Sequence, residues 1–159
     1  MIVILDCPAF LDGAEIAAAL AARMGGQVVD LHAVLGRGAL DGEGTLEQQL
    51  HRALVAGVVG LQDRGARDVV VWFVFHEPAA LARMREVLRP LDPVIRAVRL
   101  RHDLDELARR HDTGDAEALS DTLDLYDQWR AARGAGLDVA APCEAGAAAA
   151  ALWTALQDG

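Results

Sequence analysis

A chain of 159 residues is expected to form a single domain over 1–159, long enough to bury a full core without disulfide or metal staples. Its hydrophobic content of 53%, carried by Ala, Leu and Val with few aromatics, excludes disorder and fits helices packed on a sheet. A net charge of −9, with all fifteen basic residues arginine, argues against non-specific nucleic-acid binding and against anionic membranes.

The chain opens with an apolar strand, Met1–Leu5, a short loop, and an alanine-rich helix with Ile16, Leu20 and Met24 on one face. Gly25-Gly26 stops that helix, and Gln27–Leu31 reads as a second strand. His32–Gly44 is a glycine-punctuated connection, and its GRGALDGEG part is a candidate loop to close over a ligand. Thr45 and Gln48 form a capping box for a helix over Leu46–Leu61, with Leu46, Leu50, Leu54, Val58 and Leu61 as its apolar face. Gly65 ends it. Asp68–Phe75 (DVVVWFVF) is apolar on both faces and therefore a central strand of a parallel sheet.

Glu77–Leu91 reads as a helix with Pro78 in its first turn and Leu81, Met84, Leu88 and Leu91 facing inward. Pro93–Leu100 is the fourth strand. Asp103 and Glu106 box a short helix running to about His111, and Asp112–Asp115 is a turn. Ala116–Arg133 is a helix with Leu119, Leu123, Tyr126 and Arg130 on one side, broken by Gly134–Gly136. Trp129 beside Arg130 is a candidate anchor for a protein partner. Leu137–Ala141 is a fifth strand and Ala145–Leu156 the closing helix. Five strands alternating with helices predict right-handed crossovers and a three-layer α/β/α sandwich on a five-stranded parallel sheet.

A strand, a loop and a helix in this order form the frame of the phosphate-binding motif G-x-x-x-x-G-K-[ST]. In the register that keeps both elements, Cys7 and Asp12 replace the glycines, Gly13 the lysine and Ala14 the Ser/Thr. Pro8 removes a backbone donor, and Phe10 and Leu11 add bulk. Asp12 with Glu15 reads as a capping box that engages the N–H groups a phosphate needs and sets two carboxylates in its place. The chain contains no lysine. No nucleotide cofactor is expected.

The order and spacing of elements resemble the small-molecule and nucleotide kinases of the P-loop class, such as shikimate, gluconate and adenylylsulfate kinases and chloramphenicol phosphotransferase. The resemblance covers nearly the whole chain and rests on four stretches: MIVIL with its helix, VVDLHAVL, VIRAVRLRHDLDELARRH, and LDVAAPCEAGAAAAALWTAL. It implies a P-loop-kinase-like fold with strand order 2-3-1-4-5. It places Asp30 on the family's substrate-binding acidic position and Arg109 and Arg110 near its lid arginines.

Ligands of open parallel sheets bind beyond the carboxyl ends of the strands. That rim would gather Asp6, Cys7, Asp30, His32, His76 and Glu77. One reading is a rebuilt catalytic site in which Cys7 is the nucleophile, His76 the base, and Asp6 or Asp30 orients the pair. The other is an inherited polar edge that caps helices and binds water. Arg99, Arg101, Arg109 and Arg110 read either as an anion site or as a salt-bridged, solvated face with Asp103, Asp105 and Glu106. The two cysteines form no disulfide framework, and no metal-ligand spacing occurs.

Three functional expectations follow. The first is a non-phosphorylating protein that binds a small molecule or a protein partner, as an accessory subunit of a heteromer or as a homo-oligomer. The second is an enzyme with a rebuilt site acting on a small anionic metabolite. The third is a kinase that uses arginine, or a partner's lysine, in place of the missing lysine. The first residues lack a basic leader and cleavage site, and no apolar run is long enough to span a membrane, so a cytoplasmic protein is expected.

Overall fold

A computed structural model of the chain describes residues 1–7, 12–36, 44–75, 77–102, 124 and 136–158. The elements are β1 (Ile2–Asp6), α1 (Gly13–Met24), β2 (Gln27–Asp30), α2 (Leu31–Gly36), α3 (Leu46–Asp63), β3 (Val69–Phe73), α4 (Pro78–Leu88), β4 (Ile95–Arg101), β5 (Leu137–Ala140) and α5 (Ala145–Asp158). The strands form one sheet in the order β2-β3-β1-β4-β5, every neighbouring pair parallel. This is the expected α/β architecture and strand order. The helices expected over 103–111 and 116–133, with Tyr126, Trp129 and Arg130, lie outside the described residues except for Asp124, which is helical and exposed.

β1 lies at the centre with a strand on each side and all five residues buried. Its side chains alternate between two cores, as a pleated strand requires. Val3 and Leu5 pack with Ile16 and Leu20 of α1, Val98 and Leu100 of β4, and Ala148 and Leu152 of α5. Ile2 and Ile4 pack with Leu54 and Val58 of α3, Val69 and Val71 of β3, and Leu81 and Leu88 of α4. Helices therefore cover both faces of the sheet.

The helix ends follow sequence chemistry in three places. Gly25 adopts φ 67° at the end of α1, a left-handed turn that glycine enters without strain. Thr45 accepts from the Gln48 N–H, and Gln48 returns a bond to the Thr45 N–H. Pro78 opens α4.

Four expectations need correction. β2 stops at Asp30, and Leu31–Gly36 is a helix rather than part of a glycine-punctuated connection. The Asp30 carboxylate accepts the Ala33 N–H at 2.9 Å and so caps the first turn. β3 ends at Phe73, although Val74 and Phe75 remain buried beyond it. Leu46 is 63% exposed, because it is the first residue of α3 and lies beyond the packed face that begins at Leu50. Finally, the capping box at the start of α1 does not form. Asp12 is the N-cap residue but has ψ 65°, far from the 158° at Thr45, and its side chain makes no cap bond.

The two-core arrangement predicts unequal costs of truncation. Leu20→Ala is expected to cost about 3 kcal/mol, because Leu20 is fully buried between α1 and the sheet. Leu46→Ala is expected to stay within about 0.5 kcal/mol of the parent. Urea unfolding of both variants measures the difference.

Candidate functional site

The chain leaves β3 and crosses over β1 to reach β4, so the strand order reverses around the carboxyl end of β1. Asp6 is the last residue of that strand and is paired in register with Phe73 on one side and Arg99 on the other. Its side chain is 3% exposed, and its Oδ1 accepts the Phe75 N–H at 3.0 Å. Burial raises its pKa to about 7. The Phe75 N–H and the Arg99 guanidinium oppose that rise, and Asp138 adds to it.

Arg99 is likewise buried and lies in register with Asp138 of β5. Its Nε donates to Asp138 Oδ1 at 2.8 Å, and Arg101 Nε lies 3.7 Å from Asp138 Oδ2. Asp6, Arg99 and Asp138 thus form a transverse row over three adjacent strands, on one face of the sheet. Asp138 was missed by the sequence reading. Its strand was recognised, but which residue of β4 it faces depends on the register, which one strand's sequence does not carry.

Cys7 follows Asp6 and points to the opposite face, into the core with Cys143, Ile16 and Ala149. It is fully buried. Burial first, then Asp6 and Cys143, push its thiol pKa far up, which favours the unreactive protonated form. Asp30 caps α2. It lies in register with Trp72, so β3 stands between it and Asp6.

His32 is exposed at the start of α2. Its Nε2 accepts the Val74 N–H at 3.3 Å, which requires a neutral nitrogen there. Its ring stacks on Phe73 at 4.7 Å and lies 4.8 Å from the Trp72 ring. Glu77 is exposed at the N-cap of α4 and makes no side-chain cap bond. The structure therefore gathers Asp6, Cys7, Asp30, His32, Glu77 and Arg99 at one edge of the sheet. Within this group Arg99 is bonded to Asp138, and Asp6 stands in register beside Arg99. His76, Arg109 and Arg110, and loop residues Pro8, Phe10 and Leu11, lie outside the described residues.

The most specific feature of this edge involves Trp72, which sequence reading treated only as part of an apolar strand. Its indole lies against Gly13, the first residue of α1. A Cβ on Gly13 would stand 2.3 Å from Trp72 Nε1 and 2.4 Å from Cε2, well inside contact distance. Trp72 Nε1 is buried with no hydrogen-bond partner among the described residues. Among those residues no group of three or more His, Cys, Asp or Glu side chains is placed to hold a metal ion.

The burial of Asp6 has a sign that can be measured. Its carboxyl titrates near 3.8 when unfolded and near 7 when folded, so its favourable contribution is complete below pH 3.8 and is lost as pH rises to 7. Asp6→Asn keeps a carbonyl oxygen for the Phe75 N–H and removes the titration. It is expected to become more stable relative to the parent as pH rises from about 4 to 7. Thermal unfolding of both proteins across that range checks it.

No family model matches the chain, and no curated protein matches it in sequence. Solved structures do match over almost its full length. A tunicamycin resistance protein from Deinococcus radiodurans superposes with TM-score 0.68 at 16% identity, covering 99% of this chain and 95% of that one. A gluconokinase from Sinorhizobium meliloti gives 0.58 at 19% identity, covering 98% and 95%. A shikimate kinase from Bacteroides thetaiotaomicron gives 0.61 at 14% identity, covering 99% and 97%. At these identities the likeness is one of fold, and the fold is that of the P-loop kinases.

Proposed function

We propose that this chain is a non-phosphorylating protein built on the P-loop-kinase fold, whose role is to bind a small molecule or a protein partner, for example as the accessory subunit of a heteromer. One observation carries the reading: the Trp72 indole occupies the space that a side chain at Gly13 would enter. In the phosphate-loop register position 13 is the lysine, the residue that reaches the β- and γ-phosphates. Here even a methyl group there collides with the ring. The absence of a lysine at position 13 and the placement of the tryptophan are consistent with each other, and no lysine stands elsewhere in the chain. Two neighbours are named as kinases of small molecules and one for tunicamycin resistance, which supports a small organic ligand.

A second reading, an enzyme with a rebuilt site acting on an anionic metabolite, draws its support from Asp6. A carboxyl that titrates near 7 at the carboxyl edge is matched to proton transfer at neutral pH. Such an enzyme would use Asp6 with Asp30 or His76, and not Cys7 as thiolate, since burial holds that thiol protonated.

Magnesium ATP is expected to give no saturable heat in calorimetry up to about 1 mM, and a micromolar dissociation constant would overturn the first reading. The packing has its own test. Gly→Ala inside a helix ordinarily stabilises by up to about 1 kcal/mol. Gly13→Ala is expected instead to destabilise by about 1–3 kcal/mol, because the Trp72 ring has to move. In the Trp72→Ala background the penalty is expected to vanish, giving a coupling of about 1 kcal/mol or more in a double-mutant cycle.

A further inference from the structure

β3 lies between β1 and β2, and the chain runs past both neighbours as it leaves the sheet. The last registered pairs are Asp6 with Phe73 and Asp30 with Trp72, so Val74 and Phe75 lie beyond the end of both ladders. Both are buried all the same, Val74 at 5% exposure and Phe75 at 1%. A buried amide needs an acceptor. Side chains supply one on each side, because successive N–H groups along a strand point in opposite directions. The Val74 N–H donates to Nε2 of His32, which follows β2, at 3.3 Å. The Phe75 N–H donates to Oδ1 of Asp6, the last residue of β1, at 3.0 Å. Rings add to the hold: His32 stacks on Phe73 at 4.7 Å, and Phe73 meets Phe75 edge to face at 5.5 Å.

We infer that Val74–Phe75 is a clasp across the carboxyl ends of β1 and β2, with two proton-linked catches of opposite sign, each offsetting part of the other's pH dependence. Closed, the clasp keeps water from Asp6, whose carboxyl then holds its proton up to about pH 7. Open, the same carboxyl meets water and titrates near 3.8. The closed form therefore binds the extra proton, and raising the pH through 7 favours opening. His32 acts the other way. Its bond to Val74 needs an unprotonated Nε2, whereas a released imidazole takes up a proton near pH 6.5. Lowering the pH through 6.5 therefore favours opening at this catch.

Among the described residues, Arg99 of β4 and Asp138 of β5 act on the Asp6 carboxyl, and Cys7 follows it on the same strand. Beside His32, the Asp30 carboxylate is held by the Ala33 N–H. From β3, His32 meets the rings of Trp72 and Phe73. Glu77 stands beyond the segment at the N-cap of α4. The clasp does not depend on what the carboxyl edge binds.

Native-state amide exchange on the intact chain, read as protection relative to the unstructured rate, follows opening at each residue. Between pH 6 and pH 8 the Asp6 titration alone lowers protection about tenfold. The His32 catch raises it about fourfold over the same range. The parent is therefore expected to lose about threefold at both Val74 and Phe75. His32→Gln offers Val74 an acceptor that does not titrate and is expected to lose about tenfold at both amides. Asp6→Asn does the same for Phe75 and is expected to gain about fourfold at both. His76→Gln in all three proteins removes the imidazole next in the chain. In the parent the Phe75 amide proton is also expected to shift with a midpoint near pH 7. Variants with parent-like pH dependence, or amides that each answer only to their own acceptor, overturn the inference. So do equal changes at Val71, which make the opening global, and a Phe75 amide that does not shift between pH 6 and pH 8.

Discussion

β1 is the strand on which the structure depends. It is hydrogen-bonded on both sides and covered on both faces, so nothing on it reaches water. Its apolar residues Ile2–Leu5 meet that constraint by composition. Asp6 does not, and the carboxyl edge is built around the consequence. A carboxylate buried at the end of a central strand needs a donor and a counter-charge, and it finds both across the strands: the Phe75 N–H from beyond β3 and Arg99 from β4. Asp138 in turn engages Arg99. The balance still leaves the Asp6 carboxyl near 7, which means that desolvation outweighs its favourable contacts.

The same centrality governs α1. This helix must pack directly on β1, with Ile16, Ala17 and Leu20 buried against the sheet. Its first residue is therefore held close to the end of β3, where Trp72 stands. With glycine at position 13 the indole settles against the backbone. With any side chain there, ring and helix compete for one volume. Two residues from elements far apart in the chain thus set the character of the helix terminus. The Asp12 side chain, which the sequence suggests as the cap, makes no cap bond there.

Arginine is used differently at the two ends of the sheet. At the carboxyl end Arg99 is buried and bonded to Asp138, and Arg101 approaches the same carboxylate. Both engage Asp138, an aspartate other than the Asp103, Asp105 and Glu106 expected to interleave with them. At the amino end Arg85 and Arg96 border a cavity with aliphatic walls. Arg99 lies in register with Asp138 of β5, and Arg96 precedes Val98, the first residue of β4 paired with β5.

The amino-acid sequence by itself determined the layer architecture and the parallel sheet, whereas the strand order was implied by the resemblance to the P-loop kinases and is seen in the sheet. Architecture and sheet type depend on the period of apolar residues and on glycines and caps at element ends, all of which are local. It also determined that no lysine stands at the start of α1. Local chemistry misled in two places: Asp12–Glu15 has the pattern of a capping box without the backbone angles, and Asp30 caps a helix hidden in what reads as a loop. Only the tertiary structure decided which side chains meet. The Asp6–Arg99–Asp138 row, the contact of Trp72 with Gly13, the burial of Cys7 and the cavity below β5 all join residues distant in the chain. Their meeting is set by strand register and helix packing, and these come from the sum of many contacts rather than from any single stretch of sequence.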